Sequence, residues 1–416
     1  MSTIAKNPPQ TARSIEKQAM LDLLVAAGPR GMSPEALVSG VGDVSRSTIN
    51  RRLTELVGDG VIKPIGEGRS RRYVSAAPFT LAAIDKYFAV SAADRPLVPF
   101  DETLLQANPG IDADRATRLT LLQQYAALKT DRKFLSNFLI DMSFGSSLLE
   151  GGTYTDLDTQ ALIEYGQANQ FKPVEDGGLV LNHKAAIEHL WGHREITLDN
   201  VCAMHSMLTD QHDLPALRES DHFLPPHQRG VPREYEDVNL QRSAYLPPFR
   251  PGTGFIARAL NTILDKAKTL EPIAAAFYLM IRIPYLQAFA NGNKRTARLA
   301  ANLPLLKNGL LPISFVDFDR AEYIRGMAAF YELGSAQIIE NVFIRGYVKS
   351  IIRGSHVPAE LRIDGINTEA VAKELTAFVM KGSTPTNKVA RSFLANTDET
   401  RTARTHIPSS RANKKT

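Results

Sequence analysis

Between residues 115 and 353 apolar side chains recur three or four positions apart in one segment after another, and over such lengths that period specifies α-helices. LTLLQQYAALK, RKFLSNFLIDMSFGSSLLEG, DLDTQALIEYGQA, HKAAIEHLWGH and TLDNVCAMHSMLTD each carry one apolar stripe. The pattern resumes in GFIARALNTILDKAKTL, PIAAAFYLMIRI and DRAEYIRGMAAFYELG. REYEDVNLQRSAYLPP, residues 233–248, breaks the series. It alternates in part and ends in prolines, which predicts a short β-hairpin or flap. The expected fold class is therefore mainly α. At 416 residues the chain is long for one core and implies two or three domains.

Residues 14–77 read as a separate first domain. SIEKQAMLDLLVAAG has helical spacing and ends at Gly28 and Gly31. SPEALVSGV is a short helix capped by Ser33, with Pro34 in its first turn. SRSTINRRLTELVGDG is a third helix, capped by Ser45, and two strands follow, VIKPIG and SRRYVSA. Three helices and a β-ribbon match the winged helix-turn-helix pattern. Arg46, Ser47, Asn50 and Arg51 share one face of the third helix and can reach base edges and phosphates. Lys63, Arg69, Arg71 and Arg72 lie on the ribbon, where a wing would follow a DNA backbone. DNA is thus the expected partner. Winged helices read half-sites as dimers, which makes a homodimer the matching assembly.

Outside these domains, residues 1–13 are expected to be a flexible start and 78–114 a proline-containing connector with a short helix around TLAAIDKYFA. Residues 354–380 read as a further helical segment. The tail 381–416, rich in Ser, Thr, Lys and Arg, reads as disordered and basic. The longest apolar stretch, IAAAFYLMIRIPYLQAFA, is interrupted by Arg282 and Pro284, so it reads as a buried helix and no membrane association is expected. The start lacks the apolar run of a signal peptide, which points to a cytoplasm. The single cysteine, Cys202, excludes an intrachain disulfide and argues against a Cys-based metal site; no metal site is expected.

Residues 286–298, LQAFANGNKRTAR, carry the chemistry. Gly292 permits a tight backbone turn, and Asn291 and Asn293 can bond their own backbone. A helix starting near Lys294 aims free N–H groups at the loop, with Arg295 and Arg298 on one face. That combination can hold a di- or triphosphate.

The same stretch resembles the signature of the Fic (Fido) family, H-x-F-x-x-G-N-[GK]-R-x-x-R, at Phe289, Gly292, Asn293, Lys294, Arg295 and Arg298. SSLLEGGTYT resembles the family's inhibitory helix, [ST]-x-x-x-E-[GN], at Ser146, Glu150 and Gly151, which places that helix near 143–151. Residues 233–248 resemble the flap that docks a target peptide as an added strand. The resemblance spans roughly 80–353 and implies an all-α Fic core over 115–353. Such a core binds ATP and transfers AMP to a protein hydroxyl, with Glu150 pairing Arg298 as a brake.

Two signature positions differ. The His position holds Gln287, which cannot accept a proton at neutral pH. The acidic position holds Asn291, a neutral ligand that weakens Mg²⁺ binding. None of the nine histidines lies within fifty residues of the loop, and His183 and His205 read as packing or surface residues. The expectation is a DNA-binding regulator whose core binds ATP, through Asn291, Gly292, Asn293, Lys294, Arg295 and Arg298, but is impaired in AMP transfer. Gln287 would orient the ligand through its amide. The alternative is an active or altered Fic adenylyltransferase or phosphotransferase, autoinhibited by Glu150.

Overall fold

The computed structural model describes residues 12–27, 31–59, 61–66, 68, 71–76, 79–95, 97–125, 132–212, 214–240, 242–355 and 368–394. It is mainly helical and forms two compact units. Among the described residues no helix is long and apolar enough to cross a membrane.

The first unit comprises Met1–Phe100, Asn239–Pro247 and Ala328–Ser335. Helices Ala12–Ala27, Pro34–Val41 and Arg46–Gly58 are followed by strands Ile62–Ile65 and Arg72–Ser75, which pair antiparallel with Ile62 opposite Ser75. Ser33 and Ser45 cap their helices through the side-chain oxygen, as their sequence positions require. Met20, Leu24, Leu37, Ile49, Leu53, Leu56 and Ile62 meet in one core. This is the expected helix and strand order for 14–77.

The same unit holds a buried carboxylate hub. Glu332 pairs with Arg95 at 2.9 Å and accepts hydrogen bonds from Tyr87 Oη (2.9 Å), Ser243 Oγ (2.7 Å) and Ala244 N (3.2 Å). Of the hairpin or flap expected over 233–248, the described residues form no hairpin. They contain one strand, Tyr245–Leu246, which pairs parallel with Val98–Pro99. The segment's backbone groups pair outside it instead: Arg233 N donates to Ala288 O at 2.9 Å, and Val98 N and Phe100 N donate to Ala244 O and Leu246 O. The 78–114 segment is more than a connector, since it holds helices Leu81–Phe88 and Thr103–Gln106 and strand Val98–Pro99.

The second unit comprises Asp101–Val238, Pro248–Met327 and Ala336–Thr416. Helix Pro272–Leu286 is buried from Ile273 to its end, as its nearly continuous apolar sequence demands. Helix Asn293–Ala300 packs on it and on Leu198–Leu208, with Val174–Gly192 and Arg132–Glu150 adjoining. The tail departs from expectation up to residue 394. Helix Thr368–Lys381 is followed by a short helix, Lys388–Ser392, capped by Asn387, with Val389, Ala390 and Phe393 buried. Residues 395–416, 1–11 and 356–367 lie outside the described residues.

Candidate nucleotide site

The loop 287–292 begins where helix Pro272–Leu286 stops. Gln287 takes left-handed backbone angles, φ 50° and ψ 59°, which cost a non-glycine residue energy. Its neighbours hold it there. Gln287 Nε2 donates to Pro284 O at 2.6 Å, and Arg233 Nε donates to Gln287 O at 2.5 Å. Arg233 also binds Glu236 O and Pro248 O, so one buried guanidinium ties three backbone carbonyls. Sequence reading missed Arg233, because nothing local distinguishes it from a surface arginine.

Asn293 closes the loop. Its Oδ1 accepts the Phe289 N–H at 2.9 Å, and its Nδ2 donates to Phe289 O at 2.8 Å and Gln287 Oε1 at 3.0 Å. Gly292, at φ 71°, is the N-cap of helix Asn293–Ala300. Both Gln287 amide atoms are thus bound to the protein and the side chain is buried, so the expected role of orienting a ligand through that amide is not supported.

Asn291 is likewise engaged. Its Nδ2 donates to Asp221 O, its Oδ1 accepts from Gly292 N, and its carbonyl accepts from His205 Nε2 at 3.0 Å. A neutral, already bonded amide oxygen is a poor ligand for a hard cation, so these residues do not fit Mg²⁺.

His205, far away in sequence, lies flat on Phe289 with ring centroids 3.8 Å apart. Its Nδ1 accepts from Gly230 N at 2.8 Å, so Nε2 carries the proton given to Asn291 O. Burial pushes its pKa down to about 3. Both nitrogens are occupied, so His205 braces the loop and cannot replace the missing base. It is a packing histidine, as its place in a helix suggested.

The two signature arginines diverge. Arg295 donates to Leu208 O (2.8 Å) and His222 O (2.5 Å), and burial lowers its pKa to about 10, which still leaves it charged at neutral pH. Arg298 turns to helix Arg132–Glu150. Its Nε donates to Ser146 Oγ at 2.9 Å, and its Nη2 to Ser146 O at 3.2 Å and Glu150 Oε1 at 2.7 Å. Burial would raise the Glu150 carboxyl, but Arg298, then Arg295 and Lys294, outweigh it and hold the pKa at about 2. Gly151 leaves the helix at φ 101°, a conformation that favours glycine. Arg295 Nε and Arg298 Nη1 are buried and have no hydrogen-bond acceptor among the described residues. Lys294 is partly exposed.

Behind Arg298 lies His183. Its Nδ1 donates to Leu179 O at 2.7 Å, so Nε2 is the acceptor facing Ser146 Oγ at 2.7 Å. Two cavities of this unit are lined elsewhere, one by Phe134, Phe138, Asp141, Asp156 and Arg353, the other by Glu102, Arg250, Phe255 and Arg258.

In the first unit, Ser47, Asn50 and Arg51 are exposed on helix Arg46–Gly58, as expected. Arg46 is exposed but pairs with Glu35 at 2.5 Å. Lys63 and Arg71 are exposed. Arg72 is half-buried and donates to Gly31 O at 2.9 Å, so it serves the fold. Arg69 lies outside the described residues.

The helical scaffold thus brings together a glycine-capped helix start and two buried arginines, with a carboxylate paired to one of them. Residues 195–305 match the Fic/DOC family model, and the chain carries a Fic/DOC family domain there. It is 28% identical over 189 residues to Protein adenylyltransferase Fic of Nematostella vectensis, covering 43% of this chain and 40% of that protein. It is 26% identical over 187 residues to Protein adenylyltransferase fic-1 of Caenorhabditis elegans, covering 42% of this chain and 33% of that protein. The chain thus spans well under half the length of these curated relatives. Among solved structures, Fic-1 (residues 134–508) from C. elegans aligns with a TM-score of 0.44 at 21% identity, covering 58% of this chain and 70% of that one. A Fic family protein from Desulfovibrio desulfuricans G20 aligns with a TM-score of 0.44 at 15% identity, covering 64% of this chain and 87% of that one.

Proposed function

We propose that the chain is a DNA-binding regulator whose Fic/DOC domain binds ATP, is impaired in AMP transfer and is held in check by Glu150. The observation that carries this reading is Arg298. It is buried and charged, and it is balanced by a carboxylate that a phosphate could replace. The cationic end of the loop is thus equipped for an anion. The positions that would perform transfer hold a committed amide, Gln287, and a neutral Asn291. Loss of a positioned general base slows such a step by about 10²–10⁴. The exposed Ser47, Asn50, Arg51, Lys63 and Arg71 support DNA contact by the first unit.

Calorimetric titration with ATP tests the core. Glu150→Gly is expected to bind ATP more tightly than wild type by about tenfold or more, since one buried charge pair no longer competes. Arg298→Ala in that background is expected to remove the gain. Added Mg²⁺ is expected to change affinity little. Equal, negligible binding by all three proteins would refute the reading.

The second reading is an active transferase that modifies a protein hydroxyl. The Glu150–Arg298 pair favours it, because a restraint serves a site that acts, and the relatives are named adenylyltransferases. Exposed Tyr235 in the 233–248 segment would meet the target. Labelled ATP separates the two: label transferred to protein by Glu150→Gly supports the transferase, and its absence supports the regulator.

A further inference from the structure

We infer that His183 is a positioning residue for the Glu150–Arg298 pair, and so sets how firmly the nucleotide site is closed. The inference rests on the reading of that site as an ATP receptor.

The chain of contacts has a direction. His183 sits in helix Val174–Gly192 and is fully buried. Its Nδ1–H is committed to Leu179 O, one turn back in the same helix, at 2.7 Å. The remaining nitrogen, Nε2, can only accept, and Ser146 Oγ lies 2.7 Å from it. The Ser146 proton therefore points at His183. That leaves the hydroxyl lone pairs for Arg298 Nε at 2.9 Å. With Nε held, Nη2 reaches Ser146 O and Glu150 Oε1 together.

Without an acceptor at position 183, Ser146 has another choice. A helical serine readily turns its proton back to the carbonyl four residues earlier in its own helix. The hydroxyl would then rotate away from Arg298 Nε. The guanidinium would keep one tether fewer, with Ser146 O and Glu150 Oε1 still held by Nη2. A buried charged donor left without its acceptor is costly, so the pair would loosen and Glu150 would compete less well with an entering phosphate.

His183→Phe keeps the ring volume and removes the acceptor. His183→Gln returns an amide oxygen near the Nε2 position, and Ser146→Ala breaks the same link from the other side. The expected result is ATP affinity raised about tenfold in His183→Phe, near that of Glu150→Gly, the worth of one lost charge-assisted hydrogen bond. Ser146→Ala should match it, His183→Gln should stay near wild type, and His183→Phe should add nothing to Glu150→Gly. A purely structural histidine would lower the melting temperature and leave ATP affinity unchanged.

If Glu150→Gly binds ATP and His183→Phe, or Ser146→Ala where His183→Phe does not fold, binds like wild type, the inference falls and the ATP reading stands. If Glu150→Gly does not bind ATP, the ATP reading falls, and the Arg298 Nε–H resonance decides the inference by itself. A shift of that resonance in His183→Phe or Ser146→Ala but not in His183→Gln upholds the link, and no shift overturns it.

Discussion

Asn293 and Gln287 hold each other across the signature loop, with Asn293 Nδ2 donating to Gln287 Oε1 at 3.0 Å. Both are buried, and Gln287 Nε2 also satisfies Pro284 O. The residue in the place of a catalytic base is therefore part of the loop's frame. Gln287→Ala should destabilise the protein by about 1–3 kcal/mol, the cost of unsatisfied buried polar groups. Urea unfolding of the single and double alanine variants at 287 and 293 should show losses that do not add. Additive losses would mean that the two amides act separately.

Gly292→Ala should cost about 1–3 kcal/mol, because the position has φ 71° and a methyl there would lie 2.8 Å from Thr209 Cγ2. Thr209→Ser removes that methyl and should recover part of the loss. The backbone share would remain. A neutral Gly292→Ala in a thermal melt would show that the turn can relax.

His183 and His205 are held neutral in the folded chain, with burial pushing each pKa from its usual 6.5 to about 3. Between those values the unfolded chain binds more protons than the folded one, so stability rises with pH. The contribution is complete above about pH 6.5 and drains away as pH falls toward 3. Glu150, depressed from 4.5 to about 2, acts on a lower window: its contribution is complete above about pH 4.5 and is lost as pH falls through 2. Denaturant midpoints measured from pH 4.5 to 7 should therefore fall on acidification in wild type and fall less in His183→Phe. An unchanged slope would show that His183 is not neutral in the fold.

Glu332→Ala should cost about 3–5 kcal/mol, since it leaves Arg95 buried without its counter-charge. The loss should appear in the unfolding of the first unit. Arg95→Met with Glu332→Leu should recover much of it, and failure to do so would place the value of the hub in its hydrogen bonds to Tyr87, Ser243 and Ala244.

Arg51→Ala and Lys63→Ala should each reduce the salt slope of DNA binding by about 1 and weaken binding to all sequences alike. Arg72→Ala should lower stability and leave the slope unchanged, since Arg72 donates to Gly31 O. Binding that ignores salt would argue against DNA as the partner of this face.

The helices were legible because burial imposes a period, and caps such as Ser33 and Ser45 mark their starts. The Glu150–Arg298 pair was legible too, but only through resemblance, since 148 positions separate its members. Spacing cannot find such a pair. Arg233 was invisible for the same reason, with partners at Gln287 O and Pro248 O. The tail misled because its composition is polar, while Asn387, Val389 and Phe393 carry a short capped helix that averages conceal. In the 233–248 segment partial alternation suggests a hairpin or flap, whereas Tyr245–Leu246 pairs with distant Val98–Pro99.

Glu150 is the final residue of its helix, and Gly151 turns away at once. A carboxylate at that end is disfavoured by the helix dipole, so Arg298 supports the terminal turn alongside the Gly151, Gly152 and Arg320 donors that cap Leu148 O, Ser147 O and Leu149 O. Any anion that captures Arg298 withdraws that support. Amides just before residue 150 should then exchange their hydrogens faster as the anion binds, so occupancy of Arg298 would be written into the fraying of a helix end.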